Sequence, residues 1–222
     1  MRVVIVGPSP CILNLNLGSI IDTYDTVCRV NQSYMCAVKY PSCYGIRNDV
    51  QFFANNNYMY SKIENILKLT TNPAHTSLKR THYTTIGKYK GLNSKRIKQF
   101  FVKNKIKYNL VYYPEQYIQS TGILSILEIL KWSNVTELFI VGFSFHNEKN
   151  FYTDNIIVED KYRFHDEDNE KHVFENIILK HPTIKVTAHS TTMEALGTPR
   201  QGVAPLGVIP LSDKYQKPKM VR

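Results

Sequence analysis

Cysteine is scarce in this 222-residue chain, and it is placed where it builds no framework. All four cysteines, Cys11, Cys28, Cys36 and Cys43, fall in the first fifth of the sequence; none forms a CxxC pair and no histidine lies among them. That excludes the usual zinc spacings and gives no sign of a disulfide scaffold, so they read as structural thiols. Long apolar runs are also missing. Nothing approaches the ~18 consecutive apolar residues of a membrane-spanning helix. The opening MRVVIVG passes directly into a strand pattern, without the longer apolar segment and small-residue cleavage site of a secretory signal. A cytoplasmic protein without a membrane span is the expectation. Internal repeats are absent as well.

The most telling absence is of acid. Between Asn65 and Pro114 there is no Asp or Glu, yet that stretch carries 11 Lys and Arg. The other 172 residues carry 17 basic and 18 acidic side chains, so this segment supplies the whole net charge of +10. Such a block sets up a field that draws in phosphates, nucleotides or acidic polymers. Nucleic acid is disfavoured as a partner because no nucleic-acid motif accompanies the charge.

What is present is an alternation of strands and helices. Strand patterns occupy residues 3–7, Thr26–Val30, Asp49–Ala54, Arg80–Ile86, Leu110–Tyr113, Glu137–Gly142 and Thr183–Thr187, and helical periodicity covers Tyr60–Leu69, Ser94–Lys103, Gly122–Lys131 and Asp168–Leu179. This predicts an α/β fold, a Rossmann-like three-layer sandwich on a mostly parallel sheet. From Gly197 onward, glycine and proline punctuate the chain. Residues 1–196 read as one domain and residues 197–222 as an extended or disordered tail. No segment specifies an oligomeric state.

Ligands of such sheets bind beyond the carboxyl ends of the strands, and three segments there could carry chemistry. In VGPSPCILNLNLGSIIDTYDTVCRVNQ, Gly7 and Ser9 stand where a phosphate could approach backbone N–H groups. Asp25 and Arg29 read as a structural pair, and Asn31 can offer a ligand both a donor and an acceptor. In Ser120-Thr121-Gly122, a Ser/Thr cap with glycine in the first turn leaves N–H groups at the positive end of a helix, where a carboxylate or phosphate can bind. In His165-Asp166-Glu167-Asp168-Asn169-Glu170, His165 is suited to act as a base near neutral pH. Asp166 and Asp168 there either bind a divalent ion or complement a helix dipole.

Taken in order, these segments resemble the sialyltransferases, both the animal type and the smaller bacterial type. The animal enzymes carry a long motif of the form VxxxGxL…G…IDxxDxVxRxN. Val4 to Asn31 matches it, including Gly18, Ile21-Asp22, Asp25, Val27, Arg29 and Asn31. Their short motif, STG with an amphipathic helix and a strand ending GF, is matched by Ser120-Thr121-Gly122 through Gly142-Phe143. Asn150-Phe151-Tyr152 stands where the third motif has a His/Tyr-Tyr cluster, and His165 and Glu170 match the final His-x4-Glu. Arg29–Gln32 is also close to the bacterial type. The correspondence spans residues 3–179. Two features depart from the animal pattern. The cysteine pair joining its long and short motifs is missing, with Trp132-Ser133 where the second belongs, and the first loop reads Val6-Gly7-Pro8 without the usual asparagine.

The resemblance implies a variant glycosyltransferase A-like fold. It also implies transfer of an acidic sugar, sialic acid, from a CMP-activated donor to a glycan hydroxyl, with inversion and without a metal or other cofactor. On that reading His165 takes the acceptor proton, and Tyr152 and His146 stabilise the leaving phosphate. Ser120, Thr121 and Gly122 hold the donor carboxylate, Asn31 and Asn55 contact the nucleotide, and Glu170 orients the local structure. Two alternatives stand beside it: a metal-dependent transferase using Asp166 and Asp168 with a nucleoside-diphosphate sugar, and a non-catalytic nucleotide- or nucleic-acid-binding module.

Overall fold

The computed structural model describes residues 1–54, 80–86, 99, 102–103, 107–113, 120–145 and 167–195. Seven strands cross this part of the chain: β1 (Arg2–Val6), β2 (Thr26–Val30), β3 (Val50–Ala54), β4 (Arg80–Ile86), β5 (Lys107–Tyr113), β6 (Glu137–Val141) and β7 (Lys185–Ala188). They form one sheet in the order β5-β4-β3-β2-β1-β6-β7, and every neighbouring pair is parallel. The mostly parallel sheet expected from the sequence is thus wholly parallel among the described strands.

The apolar run Val3–Val6 explains why β1 lies in the middle. All four residues have no solvent exposure, because a parallel sheet is covered on both faces. The strand period of two sends Val3 and Ile5 to one face with Cys28, Val30, Val50 and Phe52. Val4 and Val6 go to the other with Val27, Phe53 and Val141. On the first face lie α4 (Thr121–Ile129) and α5 (Glu167–Val173), the latter continuing as a π-helix over Phe174–Ile178. On the second lie α1 (Gly18–Ile21), α2 (Ser33–Lys39) and α3 (Pro41–Tyr44). The result is a three-layer α/β sandwich. A short α6 (Ser190–Ala195) follows β7.

The strand positions agree with the sequence reading to within a residue or two, except that β5 begins three residues earlier, at Lys107. Its polar start, with Lys107 and Asn109 exposed, suits an edge strand and breaks the apolar pattern that marks a buried one. The expected helix Tyr60–Leu69 and the tail 197–222 lie outside the described residues. Of Ser94–Lys103, Gln99, Val102 and Lys103 are described, and they are helical.

The chain builds the sheet outward from β1 to β5, then returns to the other side of β1 for β6 and β7. The backbones leaving β1 and β6 therefore diverge, and a crevice opens between them at the carboxyl edge. Just below it the two backbones are in contact. The Gly7 N–H donates to the Val141 carbonyl at 2.8 Å, and the Ser9 N–H donates to the Gly142 carbonyl at 3.0 Å. A Cβ on Gly7 would lie 2.2 Å from the Gly142 carbonyl oxygen, and Gly142 itself has φ +77°. No side chain fits at Gly7. Gly7→Ala should lower the unfolding free energy by about 1–3 kcal/mol or more, read as a reduced urea midpoint with an unchanged slope.

Candidate functional site

The crevice at the β1–β6 switch point encloses about 200 Å³. Its walls are Pro8 and Ser9 after β1, Val30 and Asn31 at the end of β2, Ser120–Ile123 at the start of α4, Gly142–Phe145 after β6, and Glu170 on α5. The structure therefore brings Ser9, Asn31, Ser120, Thr121, Gly122 and Glu170 together from four separate segments. His146, Tyr152, His165, Asn55 and Asp166 lie outside the described residues. Asp168 is exposed on α5.

Helix α4 is aimed at the crevice because it has little choice. Seven of its nine residues are buried, so it is held as a core helix with its first turn at the carboxyl edge of the sheet. Ser120 is its N-cap, in extended backbone (φ −63°, ψ 157°), and its hydroxyl accepts from the Ile123 N–H at 3.4 Å. The Ser120 N–H donates to the carboxylate of Glu170, which is 1% exposed. These two bonds leave the Thr121 and Gly122 N–H groups as the donors of the first turn, at the positive end of the helix. Glycine at 122 has a packing reason of its own, since a Cβ there would lie 2.7 Å from the Phe143 ring.

Asn31 is held in a left-handed conformation, φ +50°, and fixed on three sides. Its N–H donates to the Phe52 carbonyl at 2.7 Å. Its Oδ1 accepts from the Ala54 N–H at 2.9 Å, and its carbonyl accepts from Gln51 Nε2 at 2.9 Å. The acceptor offered to a ligand on sequence grounds is thus used by β3, and Nδ2 is the group that remains. Opposite, the loop after β6 carries Phe145 at φ +46°, uncommon for a bulky residue. Its ring packs edge-on against Phe174, 5.0 Å between centroids, which holds that conformation in place.

Two expectations are corrected. Gly7 and Ser9 do not present their N–H groups to a phosphate, because both are spent on the β6 backbone as described above. Ser9 is 1% exposed; its hydroxyl accepts from the Cys11 N–H at 3.3 Å, and its carbonyl accepts from the Tyr44 hydroxyl at 2.5 Å. It caps the 3-10 turn Pro10–Ile12 and shapes the crevice floor. Nor do Asp25 and Arg29 pair. Four residues along a strand are about 13 Å apart, a spacing that brings side chains together on a helix but not here. Asp25 instead accepts from the Arg2 N–H at 2.7 Å, at the amino edge.

Arg29 is fully buried and donates to the carbonyls of Arg47 and Tyr44, each at 2.7 Å. Burial lowers its pKa to about 10, against the pull of Asp22, Tyr34, Cys36 and Asp49. Arg47, which sequence reasoning passed over, is the partner that closes this hub. Its guanidinium donates to the carbonyls of Asp22 at 2.8 Å and Tyr24 at 2.6 Å and to the Asp49 carboxylate at 2.7 Å. Asp22 in turn accepts from the Ile46 and Arg47 N–H groups. The hub fixes the turn before β2 to the loop before β3. The four cysteines are free thiols, with Cys28, Cys36 and Cys43 buried, and burial pushes Cys36 up to about 12.

A crystal structure of a mammalian sialyltransferase superposes with a TM-score of 0.50 at 18% sequence identity, covering 85% of this chain and 68% of that one. The fold is that of a sialyltransferase. A second structure, of a mammalian sialyltransferase in complex with Gal-beta-1-3GalNAc-ortho-nitrophenol, gives a TM-score of 0.46 with the same identity and coverage. No protein-family model matches the sequence, and no curated protein is similar to it.

The Glu170–Ser120 bond joins α5 to the first turn of α4. Glu170→Ala should leave the Ser120 N–H without its acceptor and cost about 1–3 kcal/mol of stability. Glu170→Gln keeps an acceptor oxygen and should recover most of that loss in the same urea titration.

Proposed function

We propose that this protein is a sialyltransferase-like glycosyltransferase. It transfers an acidic sugar, sialic acid, from a CMP-activated donor to a glycan hydroxyl, with inversion and without a metal ion. One observation carries the reading: the first turn of α4, with the Thr121 and Gly122 N–H groups, lines the β1–β6 crevice opposite Asn31 in a chain with the sialyltransferase fold. In the proposed assignment those N–H groups and the Ser120–Gly122 cap hold the donor carboxylate, since a helix N-terminus favours an anion. Asn31 Nδ2, together with Asn55, contacts the nucleotide.

His165 is the proposed base. A sugar hydroxyl must lose its proton as the glycosidic bond forms, and a neutral imidazole can take it near neutral pH. The bond to the donor anomeric carbon forms as the bond to the CMP phosphate breaks, and CMP leaves with the electron pair. Tyr152 and His146 are proposed to stabilise that phosphate. A monophosphate leaving group carries less charge than a diphosphate, so hydrogen-bond donors can suffice in place of an ion.

Ligand-induced stabilisation tests the donor assignment. CMP at 100 times its Kd should raise the unfolding free energy by about 2.7 kcal/mol, with UDP and NAD far behind. A shift with NAD and none with CMP contradicts it. In a transfer assay His165→Ala should lower kcat by roughly 10²–10⁴-fold and change CMP binding much less. His172→Ala, at an exposed position on α5, serves as the control and should be close to neutral.

A further inference from the structure

Strand β3 carries a glutamine where a strand covered on both faces ordinarily has an apolar side chain. Gln51, between the buried Val50 and Phe52, has no solvent exposure. A buried amide is costly unless its donors and acceptor are matched, and here they are. Nε2 donates to the carbonyls of Arg29 at 3.2 Å, Asn31 at 2.9 Å and Phe52 at 3.0 Å. Oε1 accepts from Nδ2 of Asn48 at 3.0 Å, and Asn48 is fully buried as well. The three carbonyls fix which end of the Gln51 amide is nitrogen.

Asn31 lies one residue beyond Val30, the last residue of β2 in register with β3. Its positive φ is tolerated by asparagine but persists only where the surroundings impose it. Strand β3 imposes it with three bonds: Asn31 N–H to the Phe52 carbonyl, the Ala54 N–H to Asn31 Oδ1, and the Gln51 amide to the Asn31 carbonyl. The first two use only main-chain groups of β3, which any sequence would supply. The third depends on the side chain at position 51. Gln51 does not line the crevice, whereas Asn31 does. Building on the reading of Asn31 as a nucleotide contact, we infer that Gln51 is a positioning residue for the donor. It acts through Asn31, locking the backbone that carries Nδ2 at the crevice wall, and Asn48 anchors its far end.

A double-mutant cycle on CMP affinity tests this. Gln51→Met keeps the side-chain length and removes its donors, and Asn31→Gly removes the Asn31 amide without straining a left-handed backbone. Alone, Gln51→Met should weaken the CMP Kd about tenfold, the scale of one hydrogen bond. In the Asn31→Gly background it should change the Kd by less than about twofold, because the group it positions is gone. A merely structural role would lower the urea midpoint and leave the Kd unchanged in both backgrounds. Asn48→Ala, which removes only the anchor, should show the same pattern with a smaller loss and serves if Gln51→Met does not fold. Equal losses in both backgrounds, or none in either, overturn the inference. The φ-dependent coupling between the Asn31 N–H and Hα, read without ligand, should change in Gln51→Met while the Thr121 and Gly122 amide shifts stay. An unchanged coupling overturns the inference whether or not CMP binds, so its failure is separate from failure of the wild type to bind CMP, which contradicts the functional reading.

Discussion

The contact between Gly7 and Gly142 is the constraint on which the rest of the site depends. Two parallel strands can run side by side through a core on the strength of their apolar side chains, but their continuations must then part. Here they stay in contact for one more residue pair, Gly7 N–H to Val141 and Ser9 N–H to Gly142, before diverging. That places the mouth of the crevice immediately above the sheet. It also spends the N–H groups of the β1 loop, so any anion must be met from the other wall, by the first turn of α4. The division of labour follows: the β1 loop forms the floor and α4 supplies the donors.

The supports of that wall come from distant parts of the chain. Glu170 reaches from α5 to the Ser120 N–H, and Phe143 from the β6 loop occupies the space above Gly122. On the other side Asn31 is fixed by β3. Charge is used differently in the two halves of the sheet. In the hub, Arg29 and Asp49 are buried and tied to Arg47 between the turn before β2 and the loop before β3; ahead of β5, Lys103 and Lys107 are exposed. The hub fixes geometry through main-chain carbonyls.

Much of the fold was legible because β1, β2, β3 and β6 are short apolar runs flanked by turn residues, and α4 is a long one with a clear cap. Helix α2 was not legible. It buries Ser33, Tyr34, Cys36 and Ala37 and exposes Met35 and Val38, so apolar residues lie on both of its sides and no stripe appears. Within the site, Ser120–Gly122 could be read because a serine cap followed by glycine has one obvious use. The Asp25–Arg29 pairing was misread because four-residue spacing has meaning on a helix that it lacks on a strand. Arg47 carried no signal at all: its partners are mostly backbone carbonyls, which every residue has.

The central claim is that the β1–β6 crevice, with α4 as its anion-binding wall, holds the nucleotide of the donor. Titration of isotopically labelled protein with CMP, followed by backbone amide chemical shifts, tests it most directly. The account predicts the largest shifts at Thr121 and Gly122, with smaller ones at Asn31 and at Gly142–Phe145, and saturation at a single Kd. Shifts confined to β4, β5 and the lysines beside them, with the α4 amides unmoved, would contradict it.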